Sequence, residues 1–203
     1  MQLLNSIVDS YLFKDLLMLK GLKKSQKLID LLKLLAFQIG KEVSISELAN
    51  SLNINFATVE HYLDLLTKIF VIIRVDGFSR NLRKEITKNS RYYFYDNGIR
   101  NAVINNFNDL KTRDDIGQLW DNYIIVERLK KRTYTQIFAN QYFWRTYDQK
   151  EIDLVEERDG KLFGYEIKWS ADKTPKAPKV WLETYNNASY EVINQDNYLD
   201  FIA

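Results

Sequence analysis

Two short stretches hold the side chains best suited to acid, base or metal chemistry: Glu151-Ile152-Asp153 and Tyr165-Glu166-Ile167-Lys168. In a strand, alternate residues share a face. Glu166 and Lys168 therefore project together, while Phe163, Tyr165, Ile167 and Trp169 project the other way and are expected to be buried. Asp159-Gly160 is a hairpin signal between the two stretches, and a hairpin closed there brings Asp153 beside Glu166. Two carboxylates and a lysine at one end of a hairpin suit phosphodiester hydrolysis. Hard oxygen donors such as Asp153 and Glu166 hold Mg2+, the ion lowers the pKa of a bound water, and an ammonium steadies developing negative charge. A further acid is expected from a neighbouring helix, where Asp121 and Glu127 are the candidates. They lie about 240° apart around a helix, so only one can face the site; Asp121 shares a face with Ile124 and Ile125, which favours it. The plainer alternative is a solvated hairpin face with an ordinary Glu–Lys pair.

Positioning these groups falls to the second half of the chain. The apolar pattern predicts a helix over 116–132, strands near 136–139, 142–147, 151–156 and 161–169, a short helix near 179–187 and a strand near 189–194. The first half reads differently. Helices are expected over 5–19, from about Ser25 to Ile39, over the stretch from Ser44 to Leu52, and from an Asn55 N-cap to about Phe70. Ser44 and Glu47 form a capping box. Val71–Val75 and Tyr92–Tyr95 read as strands around a polar loop, and 96–106 as a short helix. Helix, helix, turn, helix, strand, loop, strand is the order of a winged helix-turn-helix.

In such a module the second helix of the turn enters the major groove. Asn55, Thr58, His61 and Lys68 are its candidate DNA-contacting residues, although Glu60 and Asp64 would repel phosphate. The loop from Gly77 to Arg91 carries Arg80, Arg83, Lys84, Lys88 and Arg91 against the single acid Glu85. Cations in that arrangement neutralise phosphates and release counterions. A protein-binding or structural role is the alternative.

Composition sets the outer limits. The absence of cysteine excludes disulfides and thiolate metal sites, and one histidine, His61, cannot build a zinc site. The first 110 residues carry a net charge of +4 and the remainder −2, as two modules with different tasks would. No apolar run reaches the length of a membrane span. Asp9, Lys14 and Asp15 interrupt the first twenty residues as no signal peptide would, so a cytoplasmic location is expected.

The spacing of Asp153, Glu166 and Lys168 resembles the PD-(D/E)XK nuclease motif. Tyr11 to Asp15, Ser44 to Leu66, Tyr93 to Gly98, Gly117 to Leu129, Tyr142 to Arg145, Glu151 to Asp153 and Glu166 to Lys168, taken in order, resemble the C-terminal, non-ATPase region of a family of prokaryotic AAA+ ATPases. The resemblance implies a mixed α and β chain: an N-terminal helix over 1–24 that would be the last piece of an ATPase lid, a winged helix-turn-helix over 25–106, and a restriction-endonuclease-like α/β domain with a central mixed sheet over 107–203. It implies nuclease-type acids at Asp153 and Glu166, the lysine at Lys168, and the helix acid at Asp121 or Glu127. Asp121 departs from the glutamate expected there. The implied partners are DNA and the protein's own ATPase domain, through which it would oligomerise. The implied function is a DNA-associated part of the ATPase with Mg2+-dependent nuclease chemistry, or else a non-catalytic DNA- or protein-binding arm. Gly40-Lys41 and Gly160-Lys161 lack the rest of a P-loop, so no ATP binding is expected of this chain.

Overall fold

The computed structural model describes residues 25–80 and 89–203. The helix expected at 5–19, and Arg83, Lys84 and Lys88, lie outside the described residues. The chain forms two compact units, which divide it between Arg74 and Val75, between Arg91 and Tyr92, and between Arg113 and Asp114. The first unit thus runs on to Arg113, past the boundary expected after 106. The architecture is mixed α/β, with seven helices and seven strands among the described residues.

In the first unit, α1 (Ser25–Phe37) carries Leu28, Leu31, Leu32 and Leu35 at helical spacing, all essentially inaccessible. A short strand, β1 (Glu42–Val43), precedes α2 (Ile45–Leu52) and α3 (Phe56–Lys68). The Ser44 hydroxyl accepts the Glu47 N–H, which fixes the start of α2. Asn53 ends that helix in the left-handed region at φ 50°, a conformation asparagine tolerates better than most residues. Asn55 then caps α3 by accepting the Thr58 N–H at 2.7 Å. Leu48, Leu52, Val59, Leu63 and Leu66 join the α1 stripe in one core, which Ile72, Tyr92 and Phe94 complete from the inner residues of β2 (Ile72–Gly77) and β3 (Ser90–Phe94). Strand neighbours here run β1-β3-β2. Asp96 caps α4 (Asn97–Val103), whose buried Arg100 donates to the Ala36 carbonyl at 2.9 Å.

In the second unit the outer end of β2 pairs in parallel with β4 (Asn140–Arg145) through Asp76 and Tyr142. β4, β5 (Glu151–Arg158) and β6 (Lys161–Ile167) form an antiparallel meander, and β7 (Ala188–Ile193) adds in parallel to β6. Asp159-Gly160 makes the β5–β6 turn, both residues at positive φ. Gly164 is a close-approach position: a Cβ there would lie 3.2 Å from Ile152 and 3.3 Å from the Ser189 carbonyl. Phe78, Trp144, Ile152, Val155, Leu162 and Trp181, the last from α6 (Lys179–Thr184), form one apolar cluster. The long helix α5 (Ile116–Tyr134) and the short α7 (Tyr198–Ile202) complete the unit. No helix among the described residues is long and apolar enough to cross a membrane.

Two expectations change. Residues 136–139 are not a strand. Gln136 takes φ 55° and the Ile137 N–H bonds the Arg132 carbonyl at 2.9 Å, the capping pattern of a helix end. Trp169 is not buried: β6 ends at Ile167, so the alternation stops and Trp169 stays 36% exposed. β1 and α7 are too short for periodicity to announce them.

α5 is fastened to β5 by charge. Glu156, fully buried, accepts from Arg128 at 2.8 and 2.9 Å and from Arg158 at 3.1 Å, with Arg132 at 3.8 Å. Burial works against the Arg128 charge, but the bonded Glu156 more than offsets it and raises the guanidinium pKa. Removing one partner of a buried pair strands the other, at a cost of about 3–5 kcal/mol. Glu156→Gln is therefore expected to lower unfolding free energy by that amount in urea titrations. The double change Arg128→Met with Glu156→Leu should recover most of the loss.

Candidate active site

The hairpin register brings the expected residues together. β5 and β6 pair through Leu154 and Tyr165, which puts Asp153 next to Glu166. β4 pairs with β5 through Tyr142–Val155 and Trp144–Ile152, so that Asp153 and Leu154 together oppose Phe143. This bulge explains how Ile152 and Val155, three residues apart, enter the same apolar cluster, and a bulge re-aims the side chain it carries. Asp153 is 8% exposed and Glu166 9%. Lys168 lies just past β6, where its N–H bonds the Ile193 carbonyl at 2.9 Å.

Distances are short. Lys168 Nζ lies 2.6 Å from Glu166 Oε1 and 3.6 Å from Asp153 Oδ2. Asp153 Oδ2 also accepts the Ile167 N–H at 2.9 Å. On the other side, Arg91 Nη2 bonds Glu151 Oε2 at 2.9 Å, and Nη1 lies 3.7 Å from Asp153 Oδ1. The buried Arg91 guanidinium rests on the Phe143 ring, 4.4 Å from its centroid.

Electrostatics separate the two helix carboxylates. Burial, followed by the Asp153 charge, raises the Asp121 pKa well above the usual carboxylate range, with Lys168 and Arg91 acting against the rise. Asp121 therefore lies within electrostatic reach of Asp153, Lys168, Arg91 and Glu166. Glu127 does not: it bonds Lys130 on its own helix at 2.6 Å. Burial and then Asp153 also push Glu166 up to about 7, against its bond to Lys168. Burial favours a neutral Lys168, but Asp153 and Glu166 outweigh it and raise the ammonium pKa. On β7, burial and then Glu166 raise the Tyr190 hydroxyl to about 12.

Sequence reasoning placed Arg91 on a phosphate-binding loop, but it belongs to β3 and is buried against the carboxylates. The signal was its place beside the apolar Tyr92-Tyr93-Phe94 run. Glu151 and Tyr190 were not marked as candidates, and only the strand register reveals them. Of the groove-facing candidates, Asn55 is spent as an N-cap, and the Thr58 hydroxyl donates to it at 2.6 Å. Lys68 pairs with Asp64 at 2.8 Å. His61 and Arg80 are exposed, Arg80 with its guanidinium 5.8 Å from the centre of the Tyr185 ring.

Among the described residues, no group of three or more histidine, aspartate or glutamate side chains is placed to hold a metal ion. Magnesium commonly takes one or two carboxylates and completes its shell with water and phosphate. Asp153 and Glu166 fit that smaller demand. Both are hard oxygen donors, and burial followed by the Asp153 charge raises the Glu166 pKa, a cost that a bound cation would lower.

The Glu166 shift has a sign in stability. Between about pH 4.5 and 7 the folded chain keeps a proton that the unfolded chain releases, so stability falls as pH rises through that window, by about 1.4 kcal/mol per unit. Glu166→Gln should flatten this slope. Chemical denaturation at pH 4.5, 6 and 7.5 measures it, and equal slopes for both proteins would contradict the assignment.

Similarity to known proteins covers the chain in two parts. Residues 116–200 match a family model described as Domain of unknown function (DUF4143). Uncharacterized proteins of Mycobacterium bovis and Mycobacterium tuberculosis are each 28% identical over 137 residues, 66% of this chain and 30% of theirs. An uncharacterized protein of Haemophilus influenzae is 22% identical over 170 residues, 81% of this chain and 40% of its own. The chain thus spans less than half the length of these curated relatives. No solved structure matches it. Residues 1–110 match the model described as Domain of unknown function (DUF8612), more than half of the sequence, and the chain belongs to that family.

Proposed function

We propose that this chain is the DNA-associated C-terminal part of an AAA+ ATPase, and that its second unit is a PD-(D/E)XK-like phosphodiesterase. The observation that carries this reading is the convergence of Asp153, Glu166 and Lys168 at one end of the β5–β6 hairpin, with Asp121 within electrostatic reach of them. The DUF4143 match over residues 116–200 and the greater length of the relatives support a motor domain elsewhere in the full protein. The helix-turn-helix order of α2 and α3, with strands following, supports a winged-helix reading of the first unit.

Asp153 and Glu166 would hold Mg2+, which when bound supplies an acidified water and polarises a phosphate oxygen. The Ile167 N–H fixes Asp153 Oδ2 and leaves Oδ1 as the outward donor. Lys168, bonded to Glu166, orients that carboxylate and places a positive charge where a phosphorane-like charge develops. Asp121, whose pKa burial and the Asp153 charge raise well above the usual carboxylate range, would hold a proton more readily than an ordinary aspartate. A non-catalytic arm is the second reading, favoured by one observation: Arg91 and Lys168 already neutralise part of the carboxylate charge.

Two expected outcomes separate these readings. Asp153→Ala and Glu166→Ala should abolish both calorimetric Mg2+ binding and plasmid nicking. Lys168→Ala should keep the ion but slow nicking by about 100-fold or more. Wild-type protein that binds no divalent ion at millimolar concentration and nicks nothing leaves the binding-arm reading in place.

For duplex contact, Arg80→Ala should weaken binding to all sequences alike and lower the salt slope by about one. An unchanged slope removes Arg80 from the contact surface.

A further inference from the structure

Asp153 presents two unequal oxygens. Oδ2 accepts the Ile167 N–H and lies 3.6 Å from Lys168, whereas Oδ1 has no hydrogen bond among the described residues and faces Arg91 Nη1 at 3.7 Å. Oδ1 is therefore the oxygen best placed to bind an ion, and a guanidinium already stands at it. Arg91 is held there from two sides. Its Nη2 bonds Glu151 at 2.9 Å, and its plane lies over Phe143. Its side chain is 6% exposed, while that of Glu151 is 45% exposed.

Resting on the phosphodiesterase reading, we infer that Arg91 is a built-in counter-cation that competes with a divalent ion for Asp153. Without the ion, Arg91 offsets the repulsion among Asp153, Glu166, Glu151 and Asp121. An ion at Oδ1 meets a like charge that low solvent access leaves poorly screened. The ion binds as Arg91 withdraws toward Glu151, so the site is tuned to weak affinity for the ion alone. Lys168 plays no such part, because it bonds Glu166 and approaches Asp153 on the Oδ2 side.

The test is calorimetric titration of Mn2+ into wild-type protein, Arg91→Gln and Arg91→Lys, with thermal melts in EDTA. Changes around a metal site shift affinity by about 10–100-fold. Arg91→Gln should bind Mn2+ at least about tenfold more tightly than wild type, melt lower in EDTA and regain its loss when Mn2+ is added. Arg91→Lys, which keeps the charge, should stay near wild type. Should the glutamine variant fail to fold, 15N NMR of the wild-type arginine side chains during a Mg2+ titration decides the matter. The Arg91 signal should shift with the binding midpoint. Tight binding that leaves that signal still, or equal affinity in wild type and Arg91→Gln, overturns the role of Arg91 while sparing the metal site. Binding by neither protein overturns both.

Discussion

Crowding of carboxylates in a place water barely reaches is the constraint around which the second unit is built. Burial, and then the Asp153 charge, raise the proton affinity of both Glu166 and Asp121. Such a cluster persists only when compensated. Lys168 arrives from just past β6, which pairs with β5, and Arg91 from β3, which β2 and β4 separate from β5 in the strand order. The bulge opposite Phe143 matters as well. Without the extra residue, Asp153 could not face this cluster while Ile152 and Val155 both pack against Trp181.

β5 carries a second charged cluster with the opposite balance. Three residues beyond Asp153, Glu156 gathers Arg128, Arg158 and Arg132 around one carboxylate. There the Arg128 geometry is bidentate, the acid is fully covered, and Arg128 and Arg132 tie α5 to the strand. At Asp153 the acids outnumber the cations and remain partly reachable. A buried acid with surplus arginines has no electrostatic demand left to meet. A group of acids short of cations still has one, and that difference separates the structural cluster from the candidate active site on the same strand.

Much of this was legible in the sequence because it is local. The alternation around Glu166, the Asp159-Gly160 turn and the caps Ser44 and Asn55 each depend on a few neighbouring residues, and each appears where its chemistry predicts. What was hidden depends on register or on distant pairing. Arg91 looked like a loop cation because its neighbours in sequence are basic; its burial follows from Glu151, sixty residues away. Choosing between Asp121 and Glu127 required knowing which side of α5 meets the sheet. Trp169 continued the alternation on paper, yet β6 stops before it. Residues 136–139 carried strand-like side chains, but the helix before them needed a left-handed exit.

The same distinction governs the first unit. Asn55 and Thr58 have the side chains of base readers and stand at the start of α3, where a groove-binding helix would use them. The helix start claims them first: Asn55 accepts both the Thr58 N–H and the Thr58 hydroxyl. An asparagine that accepts a backbone N–H and a threonine hydroxyl has little acceptor capacity left for a base edge. Lys68 is likewise engaged by Asp64, although an exposed pair of that kind is weak and yields to a phosphate at small cost. Any duplex affinity of this unit would therefore rest on phosphate charge rather than on bases, to which the exposed Lys33 and Lys41 of the same unit can contribute. Such binding would be salt-sensitive and indifferent to sequence.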